Sequence, residues 1–194
     1  MVSNPERRTA LLDAAIEVLA DAGARGLTFR MVDTTAGVPI GTASNYFSSR
    51  DDLLTQVGEH LYVRFAPDAS DVAAATAAEP SRELVADLMR RLVHRIADRR
   101  TVYIALLELR LEATRRPALR DALTRRVGAD LKANIRFHLD AGLPGDHATV
   151  LVLYLAMNGL LVEHLTLPGV LDEQAPVQEL ADLVVSRIAP GTSG

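Results

Sequence analysis

The titratable side chains of this 194-residue chain are poorly arranged for catalysis. His60, His94, His138, His147 and His164 are scattered without metal-ligand spacing, and no HExxH, GxSxG or Gly-rich phosphate loop occurs. His94 and Asp98 lie one helical turn apart, a spacing that usually gives a surface hydrogen bond. Cysteine is absent, which excludes disulfides, thiol catalysis and cysteine-ligated zinc. No catalytic residue, metal ligand or cofactor is assigned on these grounds. What the residue types do offer is recognition. Ile40, Gly41, Thr42, Ser44 and Asn45 form a mostly small and polar outer face on one short helical segment. Side chains of that size can enter a major groove and approach base edges closely.

The elements that must position this face read as helices. Strand-type alternation is almost missing, and apolar spacing of three and four recurs along the chain, which predicts an all-α fold of about nine helices. Asn4 caps the first helix, with Pro5 at its first position and a stripe of Leu12, Ala15, Ile16 and Leu19. Gly23 and Gly26 end it. A short second helix follows Thr28 and stops at Gly37, which suits a left-handed turn. A third is expected from Pro39 to about Tyr46. Phe29, Val32 and Ala36 face inward, and Val38 and Phe47 close the unit. Ser49 caps a fourth helix, with Asp52 at the capping-box position. Residues 68–80 are read as a connector with one helical turn. Further helices are expected from Ser81 to Asp98, Thr101 to Arg115, Ala118 to Ala141, His147 to Leu167 and Pro176 to Ile188, with a break at Pro168-Gly169.

The block GARGLTFRMVDTTAGVPIGTASNYFSSRDDLL resembles the N-terminal domain of TetR-type (tetracycline repressor family) transcriptional regulators. The matching positions are Gly26, Thr28-Phe29, Ala36-Gly37-Val38, Gly41-Thr42, Tyr46-Phe47, Ser49-Arg50 and Leu53-Leu54, all without a gap. The resemblance implies a DNA-binding domain over 1–49 and an effector-binding and dimerisation domain over 50–194. It implies that Thr28 holds a phosphate at a helix N-terminus. It also implies that Thr42, Tyr46 and Arg50 touch backbone phosphates, and that Ile40, Gly41, Ser44 and Asn45 lie near base edges. Arg30, with Arg25 and Arg50, supplies the local positive field. Two departures stand out. Pro39 replaces a frequent serine and loses a side-chain cap, and Ser44 replaces a frequent aromatic.

The implied function is a ligand-responsive transcriptional regulator, a repressor. It binds a palindromic double-stranded DNA operator as a homodimer and is released by a small-molecule effector. The alternative is a helical small-molecule-binding protein or enzyme without DNA binding. The last two helices are expected to form the dimer seam. Residues 150–165 are apolar nearly all round, and Val177, Leu180, Leu183, Val184 and Ile188 make a stripe. Candidate effector-site residues are Tyr62, Phe65, Met89, Tyr103, Leu107, Glu108, Phe137, His138, Tyr154 and Asn158. A carboxylate among leucines, as at Glu108, is costly to bury unpaired. It therefore reads either as a ligand anchor or as one half of a core ion pair. Asn158 reads as a ligand contact or a seam residue.

Charge is unevenly spread. Residues 1–50 carry five Arg and five acids, and residues 82–126 carry twelve Arg and six acids. Both flanks of the basic stretch are acidic, so it is read as solvated helix faces, with Arg99-Arg100 and Arg115-Arg116 at helix C-termini. The N-terminus lacks a signal peptide's apolar region, and 148–162, interrupted by Asn158-Gly159, is too short for a bilayer. A cytoplasmic protein with no membrane partner is expected.

Overall fold

In a computed structural model, residues 4–191 are described, and no strand occurs among them. The elements are α1 (Pro5–Gly26), α2 (Phe29–Thr35), a 3-10 turn (Ala43–Asn45), α3 (Arg50–Phe65), α4 (Ala69–Ala77), α5 (Arg82–Ala97), α6 (Arg100–Ala113), α7 (Pro117–Asp140), α8 (His147–Thr166), α9 (Gly169–Asp172) and α10 (Val177–Ile188). They gather into two compact units, residues 1–66 with 99–127 and residues 67–98 with 128–194.

Local capping chemistry sets the helix starts. Side chains of Asn4, Thr28, Ser49, Ser81 and Asp146 accept the backbone N–H of Arg7, Met31, Asp52, Leu84 and Thr149. Asp146 and Thr149 complete a reciprocal capping box. Asp52 does not close the box expected with Ser49, because its carboxylate accepts the N–H and hydroxyl of Ser48 at 2.8 and 3.0 Å. The Gln56 amide, Ser48 and the Arg8 charge together hold the Asp52 carboxyl below its usual range.

The first unit is built on the buried faces of α1, α2, α3 and α6. Leu11, Leu19, Val32, Phe47, Leu54, Leu61 and Leu109 lie in one cluster. In the second unit α5, α8 and α10 pack around Val85, Leu143, Leu153, Val185 and Ala189, with Met89 and Phe137 against them. Arg90 of α5 pairs with Asp182 of α10 at its edge.

Three expectations are corrected. The Ala-rich connector carries the nine-residue α4, since alanine has the highest helix propensity. The Pro168-Gly169 break opens α9, a single turn begun by Val170 and Leu171 N–H groups donating to Leu167 and Pro168 carbonyls. With the helix expected over 39–46 shortened to a 3-10 turn, ten α-helices stand among the described residues where about nine were expected. Helix α8 also runs unbroken through Asn158 and Gly159 for 20 residues, which by length and composition alone would suffice to cross a membrane. One face of it, with Val150, Leu153, Met157 and Leu161, is buried, and Leu153 joins the second unit's core.

Candidate nucleic-acid interface

The segment from Thr28 to Phe47 is built from the backbone outward. Helix α2 ends at Thr35, and Gly37, at φ 64°, turns the chain. The Gly37 and Val38 amides donate to the carbonyls of Thr34 and Asp33. Pro39 then brings neither an N–H nor a side-chain cap. The helix expected from Pro39 to Tyr46 is reduced to the 3-10 turn Ala43–Asn45. Gly41 leaves the helical region, at φ 96°, and the amides of Gly41 and Ala43 donate to the Asp33 carboxylate, each at 2.7 Å. The Pro39 carbonyl accepts the amide and hydroxyl of Thr42 instead, a tighter pattern than the α-helical one.

Below this turn, Ala43 and Phe47 are buried and Tyr46 is half-buried. The Arg8 guanidinium of α1 lies 5.7 Å from the Tyr46 ring centroid and 5.6 Å from that of Phe47. It also donates to the Tyr46 carbonyl and to Gln56 of α3. Above the turn, Ile40 (62 % exposed), Gly41, Ser44 and Asn45 face solvent, with Thr28 and Arg30 exposed on α2 and Thr42 half-buried. The Ser44 hydroxyl and the Asn45 amide both donate to the Gly41 carbonyl, at 2.8 and 3.1 Å. Eight of the nine residues that the sequence assigns to DNA thus lie between Thr28 and Tyr46, each exposed or half-buried.

Arg50 is the ninth, and its guanidinium is engaged within the protein. It donates to the carbonyls of Ala24 and Leu27, where α1 ends. Helix C-terminal carbonyls lack intrahelical donors, and a cation is favoured there. Glu108 meets the same loop from α6. Its Oε2 accepts the Ala24 amide at 3.1 Å beside Gly23, whose φ of 65° and ψ of −179° break α1. Glu108 thus meets an amide freed by the Gly23 kink, and it makes no ion pair with Arg110 among the described residues. Arg116 adds a third tie, pairing with Glu112 and with Asp51 in the first turn of α3. The Arg116 guanidinium holds the Glu112 carboxyl below its usual range, and the two carboxylates raise Arg116 in turn. Arg99 and Arg100 open α6 instead of ending a helix, yet Arg99 donates to the Arg64 and Ala66 carbonyls at the C-terminal end of α3.

The ten effector-site candidates divide between the units. In the first, Tyr62, Phe65 and Tyr103 form edge-to-face pairs with centroids 6.3 and 6.4 Å apart, and Arg126 lies 5.2 Å over Tyr62. Leu107 and Glu108 are half-buried on α6. In the second, Met89 and Phe137 join the core. His138 is 6 % exposed with Nε2 3.0 Å from the Pro144 carbonyl, and Asn158 donates to the Tyr154 carbonyl at 2.7 Å. A groove of about 360 Å³, lined by Asp13, Ile16, Glu17, Asp21, Arg64, Thr101 and Val102, contains none of the ten. Asp33 and Arg8 escaped the sequence reading, and Arg116 was read there only as a cation at a helix C-terminus. A carboxylate directly after inward-facing Val32 was the available signal for the first, while the other two carry none beyond their charge.

A small helical head that presents a short, exposed, polar segment on a buried framework defines a helix-turn-helix regulator of transcription. Residues 11–57 match the family described as bacterial regulatory proteins, tetR family, and residues 80–191 match the tetracyclin repressor-like C-terminal domain. The chain belongs to the TetR family. It is 32% identical over 153 residues to an uncharacterized HTH-type transcriptional regulator of Mycobacterium bovis, covering 79% of this chain and 68% of that one. It is 41% identical over 86 residues to the HTH-type transcriptional regulator BetI of Rhizobium meliloti. That match covers 44% of this chain and spans 41% of BetI. Among solved structures, the multidrug binding protein EbrR complexed with imidazole aligns over 98% of both chains at 28% identity and a TM-score of 0.70. A TetR-family member from Streptomyces coelicolor aligns over 96% of this chain and 99% of its own at 29% identity, also with a TM-score of 0.70.

Proposed function

We infer that this regulator is a cytoplasmic repressor that binds a palindromic operator as a homodimer and lets go when a small-molecule effector binds. Residues 1–49 serve as the DNA-binding head, and residues 50–194 sense the effector and dimerise. The observation that carries this reading is the outward set of Ile40, Gly41, Ser44 and Asn45 on a framework closed by Ala43 and Phe47. Small polar groups on a rigid turn suit base edges, while Thr28, Thr42 and Tyr46 hold phosphates and fix register. Two heads then meet half-sites about 34–36 Å apart.

The homodimer reading rests on the second unit. Val152 and Leu155 (60 % exposed) on α8 and Leu183 on α10 are exposed large apolar side chains, and a second copy is the natural cover for them. The effector reading rests on kinship. EbrR has been solved with ethidium and with malachite green, which supports a lipophilic aromatic effector here as well. Such an effector acts only through different affinities for two conformations. The bond from the Ala24 amide to Glu108 gives α6 a direct hold on the end of α1 in the head. No enzymatic role is proposed.

The test is a gel shift with a palindromic duplex from the promoter region beside the protein's own gene. The wild type shifts it at low salt, and Tyr46→Ala weakens the shift with the helical circular dichroism unchanged. A wild type that binds no such duplex overturns the reading.

A further inference from the structure

Asp33 is the one fully buried carboxylate among the described residues, at 0 % exposure. It sits in the middle of α2 and makes no ion pair among the salt bridges found. A buried charge without such partners is costly unless hydrogen bonds replace its water. Here two backbone amides do so, Gly41 to Oδ2 and Ala43 to Oδ1, at 2.7 Å each. Those distances fit charge-assisted bonds, which are shorter and stronger than neutral ones. Two oxygens on two amides fix both the place and the rotation of the segment between them.

What that segment carries gives the clamp its consequence. The Gly41 carbonyl accepts Ser44 Oγ and Asn45 Nδ2, so the two side chains nearest the bases lean on a residue whose own N–H is held by Asp33. Gly41 is at φ 96°, a region open to glycine, so hydrogen bonds rather than side-chain sterics select this conformation. Pro39, at the head of the segment, supplies no cap of its own. Asp33 thus does from the neighbouring helix what a side chain at position 39 would otherwise do.

We propose that Asp33 is a positioning residue for sequence readout: its carboxylate, clamped on the Gly41 and Ala43 amides, sets the placement of Ser44 and Asn45 and thereby which operator sequence the head prefers. It touches no DNA itself. The inference rests on the operator-binding reading above.

The test compares wild type, Asp33→Asn and Asp33→Ala as full chains. Affinities are measured for the promoter palindrome and for an unrelated duplex of equal length at one salt concentration. Asparagine keeps the shape but turns an N–H donor toward one of the two amides. The ratio of operator to unrelated affinity falls at least fivefold in Asp33→Asn, while affinity for the unrelated duplex, which depends on phosphate contacts, stays within about twofold. A selectivity ratio that falls less than fivefold overturns the proposal, whatever happens to absolute affinity. Should both variants fail to fold, amide exchange in the wild type decides. Gly41 and Ala43 amides exchanging at least tenfold slower than unstructured amides support the clamp, and faster exchange overturns it. If wild type itself prefers no palindrome, the operator reading fails rather than the role of Asp33.

Discussion

Gly23→Ala tests whether the kink in α1 is held from α6. At Gly23 the backbone stands at φ 65° and ψ −179°. A residue with a Cβ pays about 1–3 kcal/mol to remain in such a glycine region. The added Cβ would also lie 3.1 Å from Oε2 of Glu108, with the carboxyl carbon at 3.5 Å. That oxygen accepts the Ala24 amide, and Ala24 is 4 % exposed, so a displaced carboxylate leaves a buried donor behind. Losing a hydrogen bond to a charged group adds about 1.5–3 kcal/mol. The total loss is then about 2.5–6 kcal/mol, or a fall in Tm of at least roughly 5 °C for a chain of this size. The assay is thermal and urea unfolding at one fixed protein concentration, since association contributes to apparent stability. In a Glu108→Ala background the carboxylate is already gone. There Gly23→Ala costs only the backbone part, about 1–3 kcal/mol. Equal costs in the two backgrounds, or a loss below about 1 kcal/mol in the wild type, would refute the reasoning.

Arg50→Ala lowers Tm by several degrees, because the Ala24 and Leu27 carbonyls lose their cationic donor; reduced operator binding at unchanged Tm would mean that the guanidinium serves DNA alone. Leu155→Asp on the exposed face of α8 converts a dimer to a monomer in sedimentation velocity and abolishes the operator shift, and a variant that still sediments as a dimer places the seam elsewhere. Stability falls as pH drops below about 4.5. Glu112 and Asp52 are both held below their ordinary values of 4.5 and 3.8 in the native state, so the unfolded chain takes up protons first and protons favour unfolding. Glu112→Gln flattens that part of the acid limb, and an unchanged slope in urea midpoints between pH 5 and 3 would show that Arg116 does not hold Glu112 below its ordinary value.

The sequence by itself determined most of the helices and most of their beginnings. Asn4, Thr28, Ser49, Ser81 and Asp146 cap helices through bonds to amides three residues away, so both partners lie within one readable window. The apolar spacing of α1 and the block from Gly26 to Leu54 likewise carry fold class and family in local order. Tertiary structure alone decided what the charges do. Arg8 reaches Tyr46, Arg50 reaches Ala24, and Glu108 finds the same Ala24 from α6. Periodicity marks which face a side chain occupies but not which distant amide or carbonyl lacks a partner, and a buried charge goes to that orphan group. The same reason shortened the expected recognition helix. Pro39 and Gly41 weakened it locally, and the carboxylate of Asp33, eight and ten residues back, took the two amides that fix its present form.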